Sequence, residues 1–392
     1  MIGQRLRQLR LARGLSLEAL AAAIGGVVTK QSLSKYEQGK ATPSPVVLNR
    51  LAEALQVKAA HLWSEPSIRV EFLAYRKGAA LPKGEQARVE GLVAEGLEMR
   101  VHLQQLLGQE NDRSLPMQMF TIERPEDAEM AATQLRQQWQ LGLDPIANVT
   151  DVLERHSVHV IEIDAAEKFD GISAVAYNRD GRGRSAAVVT RRGVPGERQR
   201  LSLAHELGHL ALKIPEAVDQ ETAAFRFGAA FLAPATLVRQ EVGRKRASIQ
   251  SQELMLLKRQ YGMSIQALVR RLRDLEIITE SYYRQWCVDI NRLGWRKHEP
   301  LEMPPEQPQW LRRSVLHAFA EGLISQEAAA AMTGEPLQAE GMTLPAVERR
   351  SFMKLPLEER RRILAEQAEK LSAHYVQDSE WREMEGGDLV EY

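Results

Sequence analysis

Two histidines and a glutamate fall within five positions of an apolar run in RQRLSLAHELGHLALKI, residues 198–214. His205 and His209 are one helical turn apart, so both imidazoles leave the same face and can hold one Zn²⁺ at ~2.0–2.1 Å. Glu206 then sits beside the metal without binding it. There it can take a proton from a bound water whose pKa the metal lowers to about 7, which makes a hydroxide nucleophile for a peptide carbonyl. Leu203, Leu207, Leu210 and Leu212 supply the apolar partners of the same helix. Gly208 costs that helix ~1 kcal/mol relative to Ala, and a close backbone approach would explain it.

Such a helix has to be held by something. DPIANVTDVLERHSVHVIEID predicts an amphipathic helix followed by an alternating strand over His159 to Ile163, and GISAVAY and SAAVVT read as two more strands. A small sheet leading into the histidine helix makes this module α+β. Tyr177 and Arg198 are residue types that could stabilise a transition-state oxyanion, although a strand tyrosine and a surface arginine are more often structural.

The segment RQRLSLAHELGHLAL resembles the ImmA/IrrE family of metallopeptidases, and the resemblance covers about residues 140–235. It implies a gluzincin-like fold, zinc as cofactor, His205 and His209 as ligands, Glu206 as general base, and a helix-turn-helix repressor as substrate. It also implies a third ligand from a downstream pattern close to E-x-E-A-x-x-F-A-x-x-L-L-x-P. The chain reads ETAAFRFGAAFLAP there; anchored on Pro234, Glu221 takes the first acidic position and Ala223 the second. Glu221 is the expected third ligand, with Asp219 and Glu216 as alternatives.

Upstream, apolar residues from Leu6 to Leu55 recur at helical spacing between Gly- and Pro-rich breaks, which predicts four or five short helices. Ser16 can cap the helix through Ile24, Gly25-Gly26 ends it, and Thr29 can cap the next. On that second helix Leu33 and Tyr36 turn to the core and leave Lys30, Gln31, Ser34 and Lys35 outward. These are cations for phosphate and an amide able to read adenine in a major groove. RLRQLRLARGLSLEALA, SKYEQGKATPS and LAEALQV closely resemble the Xre, or phage-repressor-like, helix-turn-helix family. The resemblance implies operator binding as a homodimer through Thr29, Lys30, Gln31, Ser32, Ser34, Lys35 and Lys40. Leu17 stands where many members carry a glutamine, and GGVV holds one extra residue, so base specificity does not transfer.

The charges balance over the 392 residues, 52 basic against 52 acidic, but residues 1–60 hold nine Lys or Arg against three Glu. Residues 378–392 reverse this with six acids against Arg382 alone. Cys287 is the single cysteine, which excludes an internal disulfide and fits a reducing compartment. No apolar run approaches the ~18–20 residues of a membrane span, so a cytoplasmic location is expected.

In LPLEERRRILAEQAEKLSAHYVQDSEWREMEGGDLVEY a stripe through Leu364, Leu371 and Tyr375 lines a charged helix, followed by an acidic strip with Trp381 and Tyr392. This segment resembles small antitoxins of PIN-domain ribonuclease toxins, which implies a toxin partner held by those five residues.

The sequence thus predicts a mainly α, multidomain protein. The expected divisions are a helix-turn-helix domain over 1–62, a connector over 63–125, a metallopeptidase-like domain with helical extension over 126–290, a small helical unit over 291–340 and a partner-binding tail over 341–392. Two functions follow: a DNA-binding regulator with a metallopeptidase-like domain that acts as an antitoxin, repressing its own operon and neutralising a toxin, or an active zinc endopeptidase that cleaves a repressor in a stress or prophage response.

Overall fold

The structure is a computed structural model that describes residues 2–74, 81–109, 115–178, 183–335, 352 and 355–377. The chain is mainly helical and divides into two compact units, Met1–Ser314 and Val315–Tyr392.

Five helices form the head: α1 (Ile2–Ala12), α2 (Leu17–Ala23), α3 (Lys30–Glu37), α4 (Pro45–Ala54) and α5 (Ala59–Trp63). Side-chain oxygens of Ser16, Thr29 and Ser44 accept the backbone N–H three residues on and start α2, α3 and α4. Gly25 and Gly26 end α2 at φ +76° and +67°, where any Cβ is strained. The spacing of Leu6, Leu9, Leu20, Leu33, Leu51 and Leu55 buries all six in one core. Arg10 forks onto Glu37 at 2.6 and 2.9 Å and ties α1 to α3.

β1 (Arg69–Ala74) and the long helix α6 (Lys83–Leu106) follow. The segment expected as a connector is therefore part of the central fold, because β1 pairs antiparallel with β4 (Gly171–Tyr177). β4 runs antiparallel to β5 (Gly183–Arg191), and β5 runs parallel to β3 (Val158–Ile163), giving the order β1-β4-β5-β3. A short parallel pair joins β2 (Phe120–Thr121) to β6 (Leu212–Lys213).

Strand alternation sends successive residues to opposite faces. Ala187 and Val189 of β5 meet Val89, Val93 and Leu97 of α6, whereas Ala186 and Val188 face the core of α7 (Ala128–Gln138), α8 (Val149–Arg155), α9 (Gly196–Ala211) and α10 (Gln220–Leu232). The sheet is thus covered on both faces, which explains its near-continuous apolar strands. On its other side α6 holds the head: Arg5 forks onto Glu98, Arg13 pairs with Glu95 at 2.7 Å, and Gly91 lets the backbone of Ala12 approach.

Helices α11 (Ala235–Val242), α12 (Ser251–Tyr261), α13 (Ile265–Asp274) and α14 (Glu280–Arg292) extend the core beyond α10. The stretch from Glu299 to Trp310 is then clamped along α9 by carboxylates. Glu306 accepts from Arg200 at 2.5 Å and from the backbone N–H groups of Val149 and Thr150 that begin α8. Next come α15 (Trp310–Ala320), α16 (Gln326–Thr333) and a helix over Leu357–Gln377.

Candidate metal centre

The site is built where α9 crosses α10. Two glycines allow the crossing: a Cβ at Gly228 would lie 2.8 Å from the backbone N of His205, and one at Gly208 would lie 3.1 Å from the carbonyl O of Ala224. Real Cβ atoms essentially never come within 3.0 Å of a backbone atom of another segment, so any side chain at Gly228 forces the helices apart, and one at Gly208 would be tightly crowded. Gly208 therefore has the close backbone approach that its position inside a helix called for.

The crossing brings Glu221, in the first turn of α10, over the histidines of α9. His205 Nε2 and His209 Nε2 are 3.1 Å apart, and each lies 3.4 Å from one oxygen of the Glu221 carboxylate. Asp219, one of the alternatives, is engaged elsewhere: its side chain caps α10 by accepting from Thr222 N at 2.9 Å. Glu216 is exposed and stands outside the cluster that His205, His209 and Glu221 form.

These spacings suit a metal. Ligands ~2.0–2.1 Å from a tetrahedral Zn²⁺ are separated by roughly 3.3 Å, and two imidazoles plus a carboxylate with a fourth position open is a hydrolytic donor set. Two imidazole nitrogens held 3.1 Å apart, both buried, are also what a shared cation would stabilise. Hydrogen bonding from His205 and His209 holds the Glu221 carboxyl well below the usual carboxylate range. His205 Nδ1 is buried with no hydrogen-bond partner, so the ring is oriented by packing and by its Nε2 contacts.

Glu206 points to the sheet side of α9 and is buried there. Ser173 of β4 donates to its Oε2 at 2.6 Å, and Gly171 leaves the room for its carboxylate, since a Cβ there would lie 2.9 Å from Oε1. Both neighbours were missed in the sequence, where Ser173 and Gly171 read only as strand residues. β4 has β5 on one edge and β1 on the other, so a peptide could add to it as a strand only if β1 left.

Of the two oxyanion candidates, Tyr177 is placed away from the site. It lies four residues beyond Ser173, roughly 13 Å along an extended strand, and Arg69 packs over its ring. A tyrosine in an alternating strand takes whichever position the register gives it. Arg198 is two helical turns before His205 and lines the same cavity, of about 530 Å³, with Nη2 donating to the carbonyl of Arg296 at 3.1 Å.

In the head, Thr29, Lys30, Gln31, Lys35 and Lys40 are exposed on and beside α3, and Ser32 and Ser34 are half-buried. Lys30 is paired with Glu18 at 2.7 Å, and Arg5, Arg10 and Arg13 are taken up by Glu98, Glu37 and Glu95. The outward positive charge therefore rests on Arg7, Lys35, Lys40, Arg50 and Lys58, all exposed. In the second unit Leu364 is 52 % exposed. Leu371 and Tyr375 lie on the helix Leu357–Gln377 with side chains outside the described ones, and Trp381 and Tyr392 lie outside the described residues.

A capped five-helix head and an α9 that gathers H-E-x-x-H against a carboxylate define two modules, one of DNA-binding type and one of metallopeptidase type. Residues 6–62 match the helix-turn-helix family model, and residues 153–273 match the model of the IrrE N-terminal-like domain. The chain is thus similar to a DNA-binding regulator with a peptidase-like domain. No curated protein matches it. Among the described residues no helix is long and apolar enough to cross a membrane.

Proposed function

We propose that this protein is a DNA-binding regulator whose central domain is a zinc-dependent endopeptidase. The observation that carries the reading is the convergence of His205, His209 and Glu221 within 4.8 Å of one another, with Glu206 anchored alongside by Ser173. Zinc held by those three side chains would supply a Lewis acid and a water with a pKa near 7. Glu206 would be the group that carries a proton from that water to the leaving amine, and Ser173 fixes its carboxylate. Arg198, on the cavity wall, binds the peptide rather than the reacting atoms.

The head binds operator DNA through α3, and dimerisation places two such helices in successive major grooves. α6 joins the two activities physically, since one of its faces packs on the head and another on the sheet that carries Ser173. A repressor protein, or the head of another copy, is the natural substrate class. DNA as partner and the lone Cys287 support a reducing cytoplasmic setting.

The test is a set of single substitutions in the full chain. Glu206→Gln should keep zinc and end proteolysis, while His205→Ala and His209→Ala should lose both. Proteolysis that survives Glu206→Gln would refute the assignment.

A second reading, an antitoxin, is favoured by Leu357 and Leu364, which lie 54 % and 52 % exposed on a helix rich in Glu and Arg. A truncated chain ending at residue 341 should then bind DNA and zinc normally but fail to protect cells from the toxin encoded alongside.

A further inference from the structure

The cavity beside His205 runs from α9 to α10, α13 and α14 and on to the loop of Trp295–Glu302. Its charges are unevenly spent. Of the four acids on its wall, Glu197 and Glu299 are both consumed by the fully buried Lys258, at 2.6 and 2.9 Å, which leaves Asp170 and Glu302 beside the cations Arg198, Arg270, Arg296 and Lys297. Arg270 of α13 is the cation held most deliberately. Its guanidinium stacks 3.7 Å from the centroid of Phe225, and its Nε is buried without a hydrogen-bond partner. The nearest carboxylate oxygen, Asp274 Oδ2 on the next turn, stands 4.0 Å from Arg270 Nε, an ion pair beyond hydrogen-bond reach, while Asp274 Oδ1 is held by Arg273 at 2.6 and 3.0 Å.

Position relates this arginine to the metal centre. Phe225 is one helical turn beyond Glu221 on α10, so the two side chains share a face. His205, the Phe225 ring and the Arg270 guanidinium stacked on it all line the cavity, and Glu221 lies 3.4 Å from His205 Nε2, one turn of α10 before Phe225. A planar guanidinium pre-oriented on an aromatic ring, with hydrogen-bond capacity unspent, matches a carboxylate and not a neutral side chain. We infer that this cavity is the subsite for an acidic side chain of the peptide that enters the metal centre, and that Arg270 determines the specificity. This rests on the peptidase reading for its substrate class, though the binding itself does not require the metal.

A charge-assisted, bidentate contact in a half-buried site discriminates Glu from its isostere Gln by about 10- to 100-fold in affinity. The probe is a positional set of fluorescein-labelled octapeptides on an Ala-Ser background, each position carrying either Glu or Gln. Binding to the full chain with Glu206→Gln, which stops turnover, is read by fluorescence anisotropy with and without added zinc. At one or two positions Glu should bind 10- to 100-fold tighter, and Arg270→Gln should reduce the preference to within about twofold. Arg270→Lys, which keeps the charge and loses the fork, should retain an intermediate preference, and it guards against a folding defect in the glutamine variant.

No Glu preference at any position in the Arg270 protein would overturn the subsite, as would a preference that survives Arg270→Gln. Zinc content is measured on the same samples. A protein that takes no zinc yet prefers Glu would overturn the peptidase reading and leave the subsite standing, and zinc-loaded protein with no preference would do the reverse.

Discussion

Gly228→Ala puts one methyl group at the tightest point of the α9–α10 crossing. The added Cβ would lie 2.8 Å from His205 N, 3.0 Å from Ala204 C and 3.2 Å from His205 Cα. Ordinary contact begins near 3.4 Å, so the helices must separate by about 0.6 Å there, and the atoms struck are backbone that cannot rotate away. Overpacking of this kind costs about 1–3 kcal/mol of stability. The same shift moves Glu221 away from His205 and His209 by more than the ~0.2 Å that metal–ligand distances tolerate, so zinc affinity should fall by about 10-fold or more. Urea unfolding of zinc-free protein reads the first effect, and zinc competition against a calibrated chelator reads the second. Gly84→Ala is the control: nothing lies within 4 Å of its Cβ and its φ is not positive, so stability should hold or rise by up to about 1 kcal/mol. If Gly228→Ala matches wild type in both assays, the crossing does not position the ligands and the reasoning fails.

Gly171→Ala crowds the Glu206 carboxylate from β4, so peptidase turnover should drop at least about 10-fold while zinc content stays at wild type; unchanged turnover would show that Glu206 need not sit there. Glu98→Gln leaves the Arg5 guanidinium buried at 1 % exposure without its carboxylate, and chemical unfolding should show a loss of about 3 kcal/mol. Although burial raises the Glu98 pKa, hydrogen bonds from Arg5 and Ser67 outweigh it and leave the folded value depressed. That stability is therefore present above the unfolded carboxylate pKa of about 4.3 and is lost as pH falls through the folded value; a head docking that is insensitive to acid would contradict it. In gel shifts on the chain's own promoter, Lys35→Ala should weaken binding to all sequences alike, whereas Gln31→Ala should relax base preference, and binding unchanged in both variants would refute the use of α3.

The H-E-x-x-H half of the candidate metal site was legible in the sequence because one helix carries three of its four groups: four-residue spacing alone puts His205 and His209 on one face. The cap residues of the head were legible for a similar reason, since Ser16 and Thr29 act on their own next turn. What did not show was anything made by packing between distant segments. Ser173 and Gly171 meet Glu206 only because β4 runs beside α9, and a serine or glycine in a strand carries no sign of its neighbour. β1 looked like part of a linker because a six-residue strand gives no hint of its partner. Arg270 is one of four arginines between residues 259 and 273, and only the fold sets it on Phe225. The glycine pair was half legible, with Gly208 conspicuous inside the motif and Gly228 hidden in a small-residue run.

The measurement that tests the account most directly is zinc stoichiometry by atomic emission on the purified full chain, wild type beside Glu221→Ala. The account predicts close to one zinc per chain in the wild type and a clear loss of occupancy in the variant. A wild-type protein that takes up no zinc, or a Glu221→Ala protein that keeps it at full occupancy, would contradict it.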